Sequence, residues 1–276
     1  MRAFRCPWQR DGASAFSRPK SAMIATTAPI PDISAATRRK AIVAATIGNG
    51  LEWFDFTVYS FFAVIIAKLF FPTGNDLTSF LLTVATFGVG FFMRPVGAIV
   101  LGVYADRVGR KAALTLTILL MALGTAIIGL APTYNQIGLW APALIVLARL
   151  IQGFSAGGEV GGATAFLIEH APDAERGAYA SWQQASQGIS FMLGAAMGAL
   201  VTNGLEPAQI DAWGWRIPFL FGLLIGPVGM YIRSHLHEPP EFEARQAARK
   251  AANVKFSPLT QVLRDHPREV LWPAWA

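Results

Sequence analysis

Long apolar runs recur along this chain, and they constrain its fold more than any other feature of the sequence. Each run is about 20 residues long, the length at which an α-helix crosses a hydrocarbon core of about 30 Å. The six runs cover residues 41–67, 79–103, 112–130, 139–165, 179–201 and 217–232. Because a bilayer offers no partners to exposed backbone groups, such spans are helical. The sequence therefore predicts an all-α integral membrane protein with six transmembrane helices.

The composition agrees with a membrane protein. Hydrophobic residues make up 53% of the chain and charged residues 14%, whereas soluble domains average about 25% charged residues. The net charge of +6 is spread over loops and tails instead of one soluble face, so it does not indicate a nucleic-acid partner. The lipid bilayer is the expected surrounding.

The basic residues lie in alternate loops and predict the orientation in the membrane. They are Arg38, Arg39 and Lys40 before the first span, Arg107, Arg110 and Lys111 after the second, Arg176 after the fourth, and Arg233, Arg245, Arg249 and Lys250 after the sixth. The opposite loops 133–138 and 203–214 carry no Lys or Arg, and the first carries only Lys68. The positive-inside rule then places both termini in the cytoplasm, in a multi-pass protein of the cytoplasmic (inner) membrane.

Both ends of the chain differ from the spans. Residues 1–37 are polar and rich in Pro, which predicts a disordered tail, with Met23 as an alternative start of translation. Residues 38–233 form the predicted bundle. Residues 234–276 read as a cytoplasmic connector followed by the start of a seventh helix, too short to cross a bilayer. We expect a missing C-terminal half of six more helices.

Several kinds of chemistry have no signature in the sequence. The single Cys6 excludes an intramolecular disulfide, and no Cys/His cluster has the spacing of metal ligands. We expect neither a metal nor another cofactor. No loop resembles a phosphate cradle, which disfavours ATP-driven transport. The spans also lack a nucleophile with a neighbouring base, so we do not expect an enzyme.

The first span carries polar residues on one side of its predicted helix. Asn49, Glu52, Asp55 and Tyr59 are spaced i, i+3, i+6 and i+10. A charge at mid-bilayer costs at least about 2.5–3.5 kcal/mol, so this side must face the bundle interior or water. Glu52 and Asp55 are candidate proton carriers, and Asn49 and Tyr59 are candidate substrate contacts. The alternative is a structural anchor near a helix end.

The second span holds an arginine. Arg94 precedes Pro95, and its guanidinium can bind a substrate carboxylate bidentately. Alternatively, Arg94 extends to the lipid headgroups. Gly88, Gly90 and Gly97 permit close packing and bending of this helix.

The fourth span holds two more charges. Arg149, Gln152 and Glu159 share one face at i, i+3 and i+10. Arg149 and Glu159 are about 15 Å apart at about 1.5 Å per residue, so they are not a simple intrahelical ion pair. Glu159 is a third candidate proton carrier, while Arg149 and Gln152 are candidate substrate ligands. The glycine-rich run 157–162 predicts that another helix approaches closely.

The fifth span carries a neutral polar stripe. Gln183, Gln187 and Ser190 are spaced i, i+4 and i+7. The two glutamines are candidate substrate ligands, and hydrogen bonding between helices is the alternative.

A charged loop between the second and third spans carries a family resemblance. It reads Gly102-Val-Tyr-Ala-Asp106-Arg107-Val-Gly109-Arg110-Lys111 and resembles the signature loop between helices two and three of the major facilitator superfamily. Segments 48–56, 92–98, 149–153, 157–159, 169–172, 213–219 and 238–242 resemble the metabolite:proton symporter branch of that superfamily. Segments 51–60 and 180–187 look most like the citrate/tricarballylate carriers. The resemblance covers roughly residues 40–265.

The resemblance implies two six-helix halves, with substrate bound near midplane between them and alternating access by rocking. This chain would supply the N-terminal half. In such families Asp106 would cap a helix of the partner half, with Arg107, Arg110 and Lys111 completing a charge lock that holds the outward-facing state. The implied activity is proton-coupled symport of an organic acid such as citrate or tricarballylate, with oxoglutarate, shikimate and proline/betaine as alternatives.

A second hypothesis is that the chain is a fragment, a half-carrier that acts only with a partner half, or not at all. The apolar stretch at residues 269–276 favours this alternative.

Overall fold

A computed structural model describes residues 35–169 and 171–234. In these ranges the chain is helical, with no strand. The helices are α1 (Ala35–Phe61), α2 (Ala63–Phe70), α3 (Asp76–Val108), α4 (Arg110–Leu130), α5 (Tyr134–Ile137), α6 (Trp140–Glu169), α7 (Arg176–Gly204), α8 (Pro207–Gln209) and α9 (Arg216–Ser234). A 3-10 turn (Asp173–Glu175) precedes α7, and a π-helical turn (Ile210–Gly214) precedes α9.

Helices occupy all six predicted spans. By length and composition α3, α4, α6 and α7 can each cross a membrane, and the bent pair α1 and α2 is a fifth candidate. The sixth predicted span, residues 217–232, lies within α9. Helix α1 begins at Ala35, within the predicted N-terminal tail of residues 1–37. The rest of that tail and residues 235–276 of the connector lie outside the described residues.

The first span is not one straight helix, which corrects the prediction of a single span over residues 41–67. Its two parts meet at an angle of 69°. Neither Pro nor Gly lies at the break. Instead Phe62 adopts φ −93° and ψ 11°, in a sparsely allowed backbone region. The bend turns α2 so that Ala63, Ile66, Ala67 and Phe70 are buried.

Helices α1 and α6 form the centre of the bundle. Helix α6 packs against α3, α4, α1 and α7, while α1 packs against α7, α9, α6 and α4. Helices α3 and α7 are the least buried of the four single-helix spans. Large apolar side chains such as Phe92 on α3 and Met192 on α7 are exposed, as expected for surfaces that face lipid or another helix.

Glycines set the close approach of α3 and α6, as the glycine-rich run predicted. A Cβ atom on Gly157 would lie 2.7 Å from the backbone nitrogen of Ala98, and one on Gly97 would lie 2.7 Å from the carbonyl carbon of Phe154. Both distances are too short for a real contact. Gly161 of the same run has open space around it. Only part of the run therefore serves this helix contact.

Two apolar regions enclose a polar layer in the bundle. The larger cluster surrounds Phe54, Phe62 and Trp215 and lies at the end where α2, the π-helical turn and the start of α9 meet. A smaller cluster at the other end includes Ala45, Leu114 and Phe166. On α1 the buried polar residues Asn49, Glu52 and Asp55 lie in sequence between Ala45 of the smaller cluster and Val58 of the larger one, with Phe54 of the larger cluster among them.

Candidate functional site

A closed ring of four side chains joins three helices at the centre of the polar layer. Arg149 Nη1 donates to Asp55 Oδ2 and to Gln152 Oε1, both at 2.7 Å. Gln152 Nε2 donates to Thr125 Oγ1 at 3.1 Å, and Thr125 Oγ1 donates to Asp55 Oδ1 at 3.0 Å. All four side chains are buried. Both oxygens of Asp55 are thus occupied, one by a cation and one by a hydroxyl.

Aromatic rings cover the Arg149 guanidinium. Its Cζ lies 3.7 Å from the centroid of the Tyr59 ring and 5.6 Å from that of Phe87. The Tyr59 hydroxyl donates to the carbonyl of Thr83 at 3.2 Å, which holds the ring in place between α1 and α3. The Nε and Nη2 atoms of Arg149 are buried without a hydrogen-bond partner. The arginine therefore retains donors beyond those that the ring uses.

A second buried acid and arginine pair lies about one helical turn away on α1. Glu52 Oε1 accepts from Arg94 Nη2, and Glu52 Oε2 is buried without a partner. The Arg94 Cζ lies 4.6 Å and 5.1 Å from the ring centroids of Phe91 and Phe56. Arg94 keeps 23% of its side-chain surface exposed, against 2% for Glu52.

Arg94 also borders an open groove between α3 and α6. The groove has a volume of about 660 Å³ and extends from Phe91 and Arg94 to Arg110 along α3 and α4, with Gly157 and Gly161 on the opposite wall. Arg94 thus contacts a carboxylate on one side and a groove large enough for a small molecule or a side chain on the other.

Glu159 is hydrogen-bonded across the bundle to α4. Thr117 Oγ1 bonds to Glu159 Oε2, and Ser155 Oγ donates to the Thr117 carbonyl at 2.5 Å. Both Glu159 and Thr117 are buried. Glu52, Thr117, Ser155 and Glu159 border a single cavity of about 10 Å³.

The amide side chains have separate partners. Asn49 Nδ2 donates to the backbone carbonyl of Gln183 at 3.0 Å and to Ser186 Oγ at 2.7 Å, so it joins α1 to α7. Gln183 Oε1 accepts from Thr164. Gln187 is half-buried. Asn49 and Gln183 therefore belong to contacts between helices and not to the ring around Arg149.

The signature loop has a defined geometry. Arg110 Nη1, at the start of α4, lies 3.4 Å from Asp106 Oδ1, near the end of α3. Gly109, between α3 and α4, has φ 131° and ψ 155°, a conformation that favours glycine. Gly102 has no atom within 4 Å of where a Cβ would stand, and it borders the groove. Arg107 lies in the last turn of α3 and Lys111 in the first turn of α4.

The sequence prediction missed the hydroxyl groups of α4. Thr117, Met121 and Thr125 are spaced i, i+4 and i+8 and are all buried. That spacing marks one face of a helix and was the available signal. Among the described residues, no group of three or more His, Cys, Asp or Glu side chains is arranged to hold a metal ion.

The chain is similar in sequence to known transport proteins. The family described as sugar (and other) transporter matches residues 40–269. The citrate-proton symporter of Klebsiella pneumoniae is 49% identical over 223 residues, which are 80% of this chain and 50% of that protein. The proline/betaine transporter of Escherichia coli K12 is 43% identical over 205 residues, 74% of this chain and 41% of that protein.

A solved structure shares the fold. The xylose transporter XylE from E. coli, in a partially occluded inward open conformation, matches with a TM-score of 0.69 at 17% identity, over 76% of this chain and 51% of that one. The chain thus spans about half the length of the proteins that it matches.

Proposed function

We propose that this chain, which belongs to the sugar (and other) transporter family of the major facilitator superfamily, forms the N-terminal half of a proton-coupled carrier for a small organic acid. The observation that carries the proposal is the pair of buried acid and arginine contacts, Asp55 with Arg149 and Glu52 with Arg94. Ionisable groups inside a membrane bundle are costly and commonly mark ion or substrate pathways.

The two pairs suggest how a proton and an anion can be coupled. A proton on Asp55 or Glu52 neutralises the carboxylate and leaves the charge of its arginine uncompensated. An anionic substrate group can then take the place of the carboxylate. Proton binding therefore favours substrate binding, and by linkage substrate binding favours proton binding to the same extent. If the bound state prefers a different arrangement of the two halves, the proton and the substrate move together.

Arg149 and Arg94 are the proposed anion ligands, each with donors to spare. Arg149 has two buried nitrogen atoms without hydrogen-bond partners, and Arg94 has an unpaired Nε and faces the groove. Gln152 lies beside Arg149 and is a candidate to orient the same group. Asn49, Gln183 and Gln187 are proposed to act less directly, through the contact of α1 with α7.

Citrate, or a related tricarboxylate such as tricarballylate, is the proposed substrate. Its support is the likeness to two citrate-proton symporters, at 49% and 47% identity. The proline/betaine transporters are nearly as similar, at 43%. Citrate, proline and betaine all carry a carboxylate, so the arginines favour a carboxylate but do not choose among them. Oxoglutarate and shikimate remain alternatives of the same chemical class.

The proposed orientation places the N-terminus and the loop around Asp106 in the cytoplasm, because the basic residues gather on that side. The loop is proposed to control opening of the carrier at that face. Its open flank at Gly102 leaves room for a helix of the second half.

The experiment that tests this function joins the present chain to the second half of the Klebsiella pneumoniae citrate-proton symporter. Proteoliposomes with an acidic exterior and labelled citrate outside should accumulate citrate, and a protonophore should abolish the accumulation. Excess proline, betaine, oxoglutarate or shikimate tests the alternatives by competition. Citrate uptake that persists in the presence of the protonophore would contradict proton coupling. Inhibition by proline, but by none of the other competitors, would indicate that proline and not citrate is the substrate.

The second candidate function is a half-carrier that needs a partner. The chain matches about half of the length of each relative. Reconstitution of the chain and the second half as separate polypeptides tests it: citrate uptake by the unlinked halves supports a split half-carrier, whereas uptake only when the two halves are joined in one polypeptide contradicts it.

A further inference from the structure

We propose that Glu52 and Glu159 form a proton site separate from the Asp55 and Arg149 pair, in which one buried water joins the two carboxyl groups and they share a single proton. The site lies between α1, α4 and α6.

The cavity between the two glutamates has the size and the walls that such a water requires. Its volume of about 10 Å³ is close to the roughly 10–15 Å³ that one water needs. Glu52, Glu159, Thr117 and Ser155 border it. A buried water usually makes about three hydrogen bonds to polar groups, and these side chains offer that number.

One carboxylate oxygen of Glu52 needs a hydrogen-bond partner that the water would provide. Its Oε1 is held by Arg94, whereas its Oε2 is buried without a hydrogen-bond partner. Leaving such an atom unsatisfied costs the full desolvation of a charged group. A water in the adjoining cavity removes that cost, and a shared proton lowers the repulsion between two carboxylates that border the same cavity.

Thr117 can serve Glu159 in either protonation state. Its Oγ1 lies within hydrogen-bond reach of both Glu159 Oε2 and the Leu114 carbonyl, at 2.9 Å from the latter. When Glu159 is ionised, the threonine hydroxyl donates to it. When Glu159 is protonated, its carboxyl group donates to the threonine oxygen, and the hydroxyl hydrogen turns to Leu114. No backbone change is needed.

The charged groups around Glu52 are few and identifiable. Arg94 from α3, Glu159 from α6 and Asp55 from its own helix act on it electrostatically. Helix α4 contributes Thr117, Ile118 and Met121 to the cavity, none of them titratable. Among the described residues, α7 and α9 contribute no cavity wall. Asp55 is itself paired with Arg149, whereas Glu52 and Glu159 border the same cavity.

The water and the shared proton do not depend on transport, but their role in coupling rests on the proposed function. The test therefore uses infrared difference spectroscopy on the purified full chain, titrated with acid in lipid nanodiscs without substrate. We expect one protonated-carboxyl band that both Glu52→Gln and Glu159→Gln abolish. The buried water should give a band from a weakly hydrogen-bonded O–H group, identified by its shift in ¹⁸O water. This band should disappear together with the carboxyl band. Asp211→Asn, in the exposed pair with Lys68, should leave both bands in place.

Thr117→Val and Thr117→Ser keep the test decisive if a glutamate variant does not fold. The valine variant should shift the carboxyl band, because one hydrogen-bond partner is lost, and the serine variant should retain its position. Two bands that are lost independently, or the absence of an ¹⁸O-sensitive band, would overturn the proposal. Removal of the carboxyl band by sodium at constant pH would also overturn it, in favour of a metal-cation site.

Discussion

Arg149 Nη1 lies 2.7 Å from Asp55 Oδ2, and almost no part of either side chain is exposed. The two residues are 94 positions apart in the sequence, so their contact ties α1 to α6 at the centre of the bundle. A buried pair of this kind is not strong evidence for stability, because both charges lose their hydration. It does make each charge depend on the other.

Removing one charge of this pair should destabilise the bundle strongly. We expect Asp55→Asn to lower the free energy of unfolding by about 3–5 kcal/mol, because Arg149 is left buried without its counter-ion. Equilibrium unfolding of the purified chain in mixed micelles measures this loss. Asp211→Asn is the matched control: its partner Lys68 is 66% exposed, and such pairs contribute roughly 0–1 kcal/mol. Equal losses in the two variants would show that the Asp55 pair is not desolvated.

The hydroxyl group of Thr125 should contribute to the stability of the chain, although valine has nearly the same shape as threonine. Thr125→Val deprives Asp55 Oδ1 of a donor and Gln152 Nε2 of an acceptor, and we expect a loss of about 1–3 kcal/mol. Thr115→Val on the same helix removes only a bond to the Lys111 carbonyl and should change stability by less than about 0.5 kcal/mol. The same unfolding assay ranks them, and an equal or smaller effect at Thr125 would speak against the closed ring.

Two glycines of the run in α6 should respond oppositely to alanine. A Cβ on Gly157 meets the backbone of α3, so Gly157→Ala should destabilise the chain by about 1–3 kcal/mol. Gly161 has open space, so Gly161→Ala should be neutral or stabilising by up to about 1 kcal/mol through helix propensity. Thermal unfolding in detergent distinguishes them. Tolerance of alanine at Gly157 would mean that α3 and α6 are not so close.

The two glycines of the signature loop should separate stability from transport. Gly109→Ala forces alanine into a positive-φ conformation that is essentially restricted to glycine and should cost about 1–3 kcal/mol in the chain alone. Gly102→Ala adds a methyl group in open space within α3, so it should be neutral or stabilise the chain by up to about 1 kcal/mol through helix propensity. If a second half packs against Gly102, the same variant should reduce citrate uptake by the joined carrier. Loss of stability on Gly102→Ala in the chain alone would contradict this division.

Periodicity predicted the helices and the polar side of α1 because both are local properties of the sequence. Asn49, Glu52, Asp55 and Tyr59 are all buried, as their spacing indicated. Their partners were not predictable, since they come from four other helices: Asn49 bonds to α7, Glu52 to α3, and Asp55 to both α4 and α6. Partner choice follows from helix packing, which a single sequence does not reveal.

The bend at Phe62 also escaped prediction, and for a different reason. Sharp changes in helix direction usually occur at Pro or Gly, and neither lies there. The bend follows from burial of Ile66 and Phe70 in the larger apolar cluster, which is a property of the whole bundle. Thr117 and Thr125 were missed because threonine in a helix often bonds only to its own backbone, as Thr115 does.

Proton uptake on citrate binding can be measured directly in the carrier that joins this chain to the second half of the Klebsiella pneumoniae symporter. The carrier is purified in weakly buffered detergent with a pH indicator. We predict net proton uptake by the unmodified carrier, a clear reduction in Asp55→Asn or in Glu52→Gln, and no change in the control Asp211→Asn. Equal proton uptake in all four proteins would show that the acid and arginine pairs do not link proton binding to carboxylate binding.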